Sequence, residues 1–332
     1  MKILVTGGAG FMGSAFVRHV LANHPEDLIV NLDKLTYAGN LDNLKEVEKN
    51  DRYKFVKGDI TDEPIVSKLA ADQVDVIVNF AAETHVDRSI LNPRDFIMTD
   101  IVGTYNLLEA TKKYKIARYI QISTDEVFGS TPKKFIEESK FDPSSPYSAS
   151  KAGADLLCSA YTKTYQLPIV VTHACNNYGP YHYPEKLIPL AITNLLENKK
   201  VPVYGDGKQV REWLYVDDHA RAIDMLVRKE DVDSVYNIGT GEELANLDLV
   251  KRLLQLLNKD ESYIEFVKDR PAHDQRYALD SSRLREVGFK PKIKLDDGLA
   301  KTVKWFQDSR WWWDKLKSGE YLEYYKKQYQ SK

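Results

Sequence analysis

A glycine-rich loop directly after the first apolar run constrains the fold of this chain more than any other feature. The run Lys2–Thr6 is typical of a buried strand, and Gly7-Gly8-Ala9-Gly10-Phe11-Met12-Gly13 leads from it into a helical pattern. Glycines at this spacing permit a tight turn, close approach of the backbone to a pyrophosphate, and close packing of helix on strand. Because the helix N-terminus also offers free N–H groups and partial positive charge, the loop predicts a dinucleotide site.

The second apolar run ends in a carboxylate that bears on the choice of dinucleotide. Asp33 lies twenty residues after Gly13. A carboxylate at this position accepts hydrogen bonds from the adenine ribose hydroxyls and repels a 2′-phosphate. Lys34 beside it weakens that repulsion. We therefore predict NAD as the cofactor, in preference to NADP.

Short apolar runs alternate with helical patterns through the first half of the chain. Strands separated by helices indicate βαβ units and a parallel sheet. Beyond about Ala174 this rhythm breaks into a cluster rich in proline, glycine and tyrosine, followed by short mixed elements. We predict an α/β fold: a Rossmann-type doubly wound parallel sheet in residues 1–174, with a return segment near 211–240, and a smaller mixed α/β substrate lobe in 175–332. The predicted strands are Lys2–Thr6, Leu28–Leu32, Tyr53–Val56, Asp75–Asn79, Arg118–Ser123 and Ile169–His173.

Composition excludes several classes of partner. A formal net charge of -2 argues against a general electrostatic grip on nucleic acid. No apolar run approaches the ~20 residues that span a bilayer, and no signal-peptide layout opens the chain. The two cysteines suit a reducing compartment, so we expect a cytoplasmic protein. The histidines show no metal-ligand spacing and no Cys-x-x-Cys is present, so we predict no metal.

Tyr147 and Lys151 form a Tyr-x-x-x-Lys pair just after Pro146. Pro146 suits a first helical turn, and the four-residue spacing places both side chains on one helix face. A phenol with a pKa near ~10 is a poor base at neutral pH. A cation ~4 Å away at an effective dielectric of ~20 contributes ~4 kcal/mol, which would lower the phenol pKa by roughly three. We therefore interpret Tyr147 as a base that deprotonates a substrate alcohol while hydride leaves the same carbon.

Two adjacent carboxylates, Asp125 and Glu126, follow the fifth predicted strand. Parallel α/β sheets bind their ligands at the carboxyl ends of their strands. Elimination of water next to a carbonyl needs one group to remove the α-proton and another to protonate the departing hydroxyl. The pair therefore fits oxidation followed by dehydration. The residues alone also fit a solvated turn.

Taken together, these motifs resemble the extended short-chain dehydrogenase/reductase superfamily and, within it, the dTDP-glucose 4,6-dehydratase family. Thr124-Asp125-Glu126 is the specific signature, and the resemblance spans nearly all of the chain. The similar stretches are Thr6–Ser14, Leu32–Asn43, Ala81–Ser89, Thr124–Gly129, Tyr147–Lys151, Asn176–Pro189, Arg211–His219 and Asp269–Ala278.

The resemblance implies a role for each catalytic residue. Tyr147 would be the base for C4 oxidation, assisted by Lys151 and Thr124. Glu126 would remove the C5 proton, and Asp125 would protonate the departing C6 hydroxyl. Hydride would then return to C6, giving the 4-keto-6-deoxy sugar. The resemblance also implies a homodimer, formed through helices on one flank of the first domain.

The resemblance further implies two sets of binding residues. The residues expected to bind NAD are Gly7, Gly10, Phe11, Met12, Gly13, Asp33, Lys34, Thr36, Asp59, Ile60, Phe80, Ala81, Ala82, Thr99, Tyr147, Lys151 and Asn177. The residues expected to bind the dTDP-glucose substrate are Thr84, Asn176, Lys186, Leu187, Pro202, Tyr204, Arg211, Asn246, Arg270 and His273. Three positions depart from the family pattern: Phe128 stands for a tyrosine, Ala272 for a glycine and Gln275 for an arginine.

Three other functions share part of this pattern. A nucleotide-sugar 4-epimerase would use NAD, Tyr147 and Lys151 but would not need Asp125 and Glu126. A 4,6-dehydratase acting on a UDP-sugar would share every catalytic residue. An idle NAD-binding sensor or scaffold would need neither Tyr147 nor Lys151, and both are present.

Overall fold

The computed structural model describes residues 1–269, 273–325 and 328–329. Within these residues, seven strands form one sheet in the order β10-β6-β5-β4-β1-β2-β3, and every neighbouring pair in it is parallel. The strands are β1 Lys2–Thr6, β2 Leu28–Asp33, β3 Tyr53–Lys57, β4 Val76–Asn79, β5 Arg118–Thr124, β6 Ile169–Ala174, β7 Asn176–Tyr178, β8 Val201–Tyr204, β9 Val210–Tyr215, β10 Val235–Ile238, β11 Glu243–Ala245 and β12 Ile264–Val267.

The six strands predicted from the sequence are all present, and their ends differ from the predictions by at most one residue. Continuous apolar runs made them recognisable, because strands covered on both faces need no polar alternation. Sequential strands run outward from β1 in both directions, so the order of the sheet reverses between β1 and β4. A crevice opens at the carboxyl ends of the strands at such a reversal.

Helices cover both faces of this sheet. The helices are α1 Phe11–Asn23, α2 Glu63–Ala70, α3 Val86–Leu91, α4 Pro93–Phe96, α5 Thr104–Tyr114, α6 Pro146–Tyr165, α7 Leu187–Leu196, α8 Val216–Arg228, α9 Asn246–Leu256, α10 Ser282–Glu286, α11 Leu295–Asp308, α12 Arg310–Trp313 and α13 Glu320–Tyr325. A π-helical segment, Ile97–Gly103, joins α4 to α5, and a 3₁₀ turn, Asp125–Phe128, follows β5.

Alternation of side chains along the strands divides the core of the first domain in two. Ile3 and Val5 point to one face, where they pack in a cluster with Phe16 of α1 and Ile223 of α8. Leu4 points to the other face and packs in a cluster that includes residues of α2, α5 and α6. The fold class predicted from the sequence, a doubly wound parallel sheet, is confirmed.

The second lobe is built on two smaller sheets. The first contains β11, β9 and β7, with β9 antiparallel to β11 and parallel to β7. The second contains the parallel pair β12 and β8. Its apolar core includes residues of α7, α9 and α11. The sheets and helices together make the mixed α/β lobe that the sequence predicted.

The C-terminal segment ties the second lobe back to the first domain. Trp312 and Trp313 are buried in the core of the second lobe, whereas Trp311 is exposed. The Trp312 Nε1–H donates to Asn43 Oδ1 at 2.9 Å, and Lys315 forms an ion pair with Asp42. None of the helices in the described part of the chain has the length and apolar character required to cross a membrane.

Candidate active site

A cleft of about 320 Å³ runs along the carboxyl ends of β1, β2, β4 and β5. Its wall includes every residue predicted from the sequence to bind NAD, from Gly7 through Asn177. It also includes the predicted catalytic residues Thr124, Asp125, Glu126, Tyr147 and Lys151. The fold thus brings the glycine-rich loop, the Tyr–Lys pair and the carboxylate pair, which are well separated in sequence, into one continuous cleft.

The glycine-rich loop requires glycine where the backbone passes close to its neighbours. Gly7 has a φ of +70°, and a Cβ there would lie 2.5 Å from the Ala81 backbone nitrogen. A Cβ on Gly13 would lie 2.3 Å from the Gly7 carbonyl oxygen. Gly10 precedes α1 and offers no capping side chain, so the first N–H groups of the helix point to the cleft without an intrahelical partner. Such a helix end fits an anion.

Asp33 is held at the end of β2 by two backbone hydrogen bonds. Its Oδ2 accepts from the Ala9 N–H at 2.9 Å, and its Oδ1 accepts from the Leu35 N–H at 2.8 Å. Burial raises the pKa of this carboxyl. Lys34, which also lines the cleft, forms an ion pair with Asp59 at 2.7 Å. The positive charge of Lys34 is therefore engaged by Asp59.

Tyr147 and Lys151 lie in the first two turns of α6. Ser145 and Ser148 form a capping box at the start of this helix, which fixes where its first turn begins. The Lys151 Nζ donates to the Ile122 carbonyl oxygen of β5 at 2.6 Å, and both Tyr147 and Lys151 are buried. The helix and the strand that carry the predicted catalytic groups are therefore joined directly beside them.

The pKa of Tyr147 differs from the sequence-based expectation. Burial, followed by the negative charges of Glu126 and Asp100, raises the pKa of the phenol well above its ordinary value, and a hydrogen bond with Thr124 opposes the change. The expected lowering of the Tyr147 pKa rested on the positive charge of Lys151. Desolvation and the carboxylates around the phenol raise that pKa, and both arise only in the folded chain. The protein groups together therefore keep Tyr147 protonated.

The 3₁₀ turn after β5 sets the geometry of the carboxylate pair. The Thr124 Oγ1 accepts from the Glu126 N–H at 3.3 Å and donates to Asp125 Oδ1 at 3.2 Å. Asp125 is 1% exposed, and burial followed by the Glu126 charge raises the pKa of Asp125 well above its ordinary value. Glu126 is only partly buried. The turn thus presents a carboxyl group with a raised pKa beside a second carboxyl group, which is an arrangement suited to acid–base chemistry.

Arg211 approaches the carboxylate pair from β9. It is buried, donates to the carbonyl oxygens of Val210 and Asp274 at 2.8 and 2.9 Å, and lies over the Tyr277 ring at 4.1 Å from its centroid. Its positive charge acts to lower the pKa of Asp125 but does not overcome burial. A guanidinium fixed in this way is preorganised to meet an anionic ligand group.

Some of the residues predicted to bind substrate line the cleft and others do not. Thr84, Asn176, Lys186 and Leu187 line the cleft, whereas Pro202, Tyr204, Arg211, Asn246 and His273 are not among its lining residues. Arg270 and Ala272 lie outside the described residues.

Contacts across the two lobes order several of these side chains. Lys186 Nζ donates to the Thr84 carbonyl oxygen at 2.7 Å. The Tyr204 hydroxyl donates to Asp87 Oδ2 at 3.0 Å, and its ring meets the His273 ring edge-on. Within the described residues, Asn176 Oδ1 is buried without a hydrogen-bond partner, so it can accept a hydrogen bond from a ligand hydroxyl.

Phe128, which departs from the family pattern, does not face the cleft. It is buried and stacks on Phe135 with ring centroids 4.9 Å apart, and it meets His173 edge-on at 4.8 Å. The hydroxyl that a tyrosine would carry at position 128 is therefore absent from an aromatic cluster and not from the cleft wall. Gln275 is held by a hydrogen bond from its Nε2 to the His273 carbonyl oxygen at 3.2 Å.

Sequence reasoning missed several residues of the cleft wall. His182 stacks on Phe11 with ring centroids 4.3 Å apart, and Glu83 and Glu185 also face the cleft. These three lie inside stretches already singled out for their resemblance, so that signal was available. Trp312 and Leu316 also line the cleft. No local pattern could have placed these two C-terminal residues there.

A group of potential metal ligands lies away from this cleft. His19 and His24 both contact Asp224 Oδ2, at 3.2 and 2.8 Å, and the three ligand atoms lie within 4.8 Å of one another. Asp224 also pairs with Arg228. Burial acts to raise the pKa of Asp224, but hydrogen bonds from His19, His24 and Arg228 outweigh it and lower the pKa to about 2. The prediction from the sequence that the protein binds no metal stays a prediction.

The chain is similar to enzymes that act on nucleotide sugars. The sequence model of the GDP-mannose 4,6 dehydratase family matches residues 4–302. The dTDP-glucose 4,6-dehydratase 1 of Escherichia coli K12 is 47% identical over 361 residues, covering 100% of both chains. The crystal structure of a dTDP-glucose 4,6-dehydratase from Streptomyces venezuelae, with NAD bound, superimposes with a TM-score of 0.93 at 47% identity, covering 95% of this chain and 100% of that one.

A more distant likeness has a different activity. The UDP-glucuronic acid 4-epimerase of Bacillus cereus, solved with NAD and UDP-glucuronic acid, superimposes with a TM-score of 0.88 at 30% identity. It covers 93% of this chain and 100% of its own. The fold is therefore common to dehydratases and epimerases, and the groups inside the cleft must decide between them.

We predict that Asp125 stays protonated at pH 7, because burial raises its pKa. Infrared difference spectra between the wild-type protein and Asp125→Asn should show the loss of a carboxylic acid carbonyl band at pH 7. Asp224→Asn is the matched control, since the pKa of Asp224 is lowered to about 2. That variant should lose carboxylate bands instead. Loss of carboxylate bands alone in Asp125→Asn would show that the acid is ionised.

Proposed function

The chain belongs to the GDP-mannose 4,6 dehydratase family, and on that premise we propose that it converts dTDP-glucose into dTDP-4-keto-6-deoxyglucose and water with NAD as cofactor. The observation that carries the proposal is that Asp125, whose pKa burial raises, and Glu126 line the same cleft as Tyr147 and the glycine-rich loop. Oxidation alone would need Tyr147 and Lys151 but no second acid–base pair.

The residues of the cleft fit NAD. Because Gly7 and Gly13 have no Cβ, a pyrophosphate can lie close to the backbone there. Asp33 is positioned for the ribose hydroxyls. Phe80, Ala81, Thr99 and the other predicted cofactor residues line the remaining length of the cleft. When bound, NAD supplies an oxidant for C4 of the sugar and a reductant for C6, so the cycle consumes no external cofactor.

Tyr147 takes the proton from the C4 hydroxyl in the first stage. The raised pKa set by burial, Glu126 and Asp100 means that this phenol needs positive charge close by in order to ionise. Lys151 supplies one such charge from a fixed position, because its Nζ is anchored to the Ile122 carbonyl oxygen. Thr124, whose hydroxyl bonds with the phenol, orients it toward the reacting hydroxyl.

Asp125 and Glu126 act in the second stage. A C5–H next to a ketone is acidic enough for a carboxylate to remove, whereas the same proton on the unoxidised sugar is not. Glu126, partly exposed to the cleft, takes the C5 proton. Asp125, kept protonated by burial, gives its proton to the departing C6 hydroxyl. One water leaves, with Glu126 now protonated and Asp125 ionised. As hydride adds to C6, Glu126, which is partly exposed and exchanges its proton with solvent, returns a proton to C5. The proton that Tyr147 took from the C4 hydroxyl is released to solvent while Asp125 regains one, which restores the starting state.

The second lobe holds the nucleotide. Arg211 is fixed by carbonyl oxygens and by the Tyr277 ring, which suits a guanidinium that meets a diphosphate. Asn176 and Lys186 line the cleft wall. We assign cofactor binding to residues 1–174 with the return segment near 211–240, and nucleotide-sugar binding to residues 175–332. We also propose that the protein is cytoplasmic.

A homodimer is proposed on the helical flank of the first domain. Large apolar side chains there are exposed: Leu156 of α6 at 60%, Ile97 of the π-helical segment at 50% and Tyr105 of α5 at 47%. Sedimentation velocity should give about twice the chain mass of 38.1 kDa. Leu156→Asp should reduce it to that of one chain, whereas Leu256→Asp on α9 should leave it unchanged. A wild-type monomer would contradict the proposal.

We predict that Glu126→Gln separates oxidation from dehydration. Incubated with dTDP-glucose, the wild-type enzyme should release a product lighter by one water, measured by mass spectrometry. Glu126→Gln should still develop the absorbance of reduced nicotinamide but release product at least ~100-fold more slowly, because a general base contributes about that much. Tyr147→Phe should show neither signal. Normal product release by Glu126→Gln would show that another group removes the C5 proton.

The same incubation distinguishes the alternative functions. A product of unchanged mass with inverted configuration at C4 would identify a 4-epimerase. Faster dehydration of UDP-glucose when both nucleotides compete would identify a UDP-sugar dehydratase. The absence of turnover with either nucleotide would leave an NAD-binding protein without this activity.

A further inference from the structure

A buried carboxyl group without a role in the reaction lies next to the Tyr147–Lys151 pair. Asp100 is 1% exposed and belongs to the π-helical segment Ile97–Gly103, which packs against α6. π-helical turns are rare and occur frequently at functional sites. The segment and α6 approach so closely that a Cβ on Gly153 would lie 2.9 Å from Ile101 Cδ1. The carboxyl group is therefore held in place by close-packed elements on the catalytic side of the domain.

Hydrogen bonds connect Asp100 to the residues of the pair. Its Oδ2 accepts from the Ser150 hydroxyl at 2.5 Å, and Ser150 is the residue directly before Lys151. The same hydroxyl also contacts the Tyr147 carbonyl oxygen at 2.8 Å. The other carboxyl oxygen, Oδ1, accepts from the Glu83 N–H at 3.2 Å. Asp100 thus joins the second turn of α6 to the loop that follows β4.

Several charged or titratable groups face Asp100. Burial raises its pKa to about 6, and the positive charge of Lys151 and the Ser150 hydrogen bond oppose that rise. Asp155, also on α6, acts in the same direction as burial. Glu83, on the loop after β4, has its pKa raised to about 7 by burial and then by Asp100. Above pH 6 Asp100 is therefore mostly ionised, and its negative charge is among those that oppose ionisation of Tyr147.

We propose that Asp100 is a positioning residue for the Tyr147–Lys151 pair: its carboxylate orders Ser150 at the start of α6, and its negative charge opposes ionisation of the Tyr147 phenol. Because the charge is buried, the opposition acts in a medium of low polarity and is weakly screened by salt. The proposal rests on the proposed function for its consequence, which is the pH at which C4 oxidation begins. The electrostatic effect itself belongs to the protein and does not depend on the substrate.

Asp100→Asn tests the proposal, since the amide keeps the shape and the capacity to bond with Ser150 but carries no charge. Protein labelled with ¹³C at the tyrosine ζ carbon is loaded with NAD and titrated by NMR, with Tyr147→Phe identifying the signal. The midpoint of Tyr147 ionisation should fall by about one pH unit in Asp100→Asn. The acidic limb of the pH–rate profile for C4 oxidation should move by the same amount.

Asp155→Asn is the matched control, because it removes a buried carboxyl of α6 that hydrogen-bonds with Ser123 and His173 and not with Ser150. Its midpoint should equal that of the wild type. An unchanged midpoint in Asp100→Asn, or an equal change in Asp155→Asn, would overturn the proposal. The NMR titration needs no turnover, so a failure of the proposed function, seen as no product from dTDP-glucose, is distinguishable from a failure of this inference.

Discussion

The hydrogen bond from Lys151 Nζ to the Ile122 carbonyl oxygen joins the two elements on which the rest of the site depends. Strand β5 ends at Thr124 and leads into the turn that carries Asp125 and Glu126, and helix α6 carries Tyr147 and Lys151. We propose an acid–base pair on the first element and an oxidation pair on the second, so the two-stage reaction needs both. Because a buried amino group is costly to leave without a hydrogen bond, the contact also fixes the position of the Lys151 Nζ. The cleft geometry follows from this junction.

Burial gives two chemically similar carboxyl groups different roles. Asp125 and Glu126 are adjacent in the chain, yet the 3₁₀ turn directs one into the interior and leaves the other partly exposed. Burial raises the pKa of Asp125, so we propose that Asp125 is the acid and the partly buried Glu126 is the base. Pairs of titratable groups whose surroundings push their pKa values apart are a recurrent way to separate acid from base at one pH. The turn thus assigns the two roles by depth.

Much of the fold and part of the site could be predicted from local sequence. The strands were recognisable from apolar runs, and the glycine-rich loop from its position between a strand and a helix. The pKa of Tyr147 could not be predicted, because it depends on desolvation and on Asp100 and Glu126, which only the folded chain brings near. The sequence also could not predict that Trp312 lines the cleft or that His19 and His24 lie together with Asp224, because these contacts join distant parts of the chain.

The central claim is that one cleft oxidises C4, eliminates water across C5 and C6, and reduces C6 without exchange of cofactor. Turnover of dTDP-glucose carrying deuterium at C4, followed by NMR of the product, tests it most directly. The account predicts that the deuterium appears at C6 of the 4-keto-6-deoxy sugar, while the hydrogen at C5 comes from solvent. Deuterium lost to solvent, or recovered at C4 of an epimerised sugar, would contradict it.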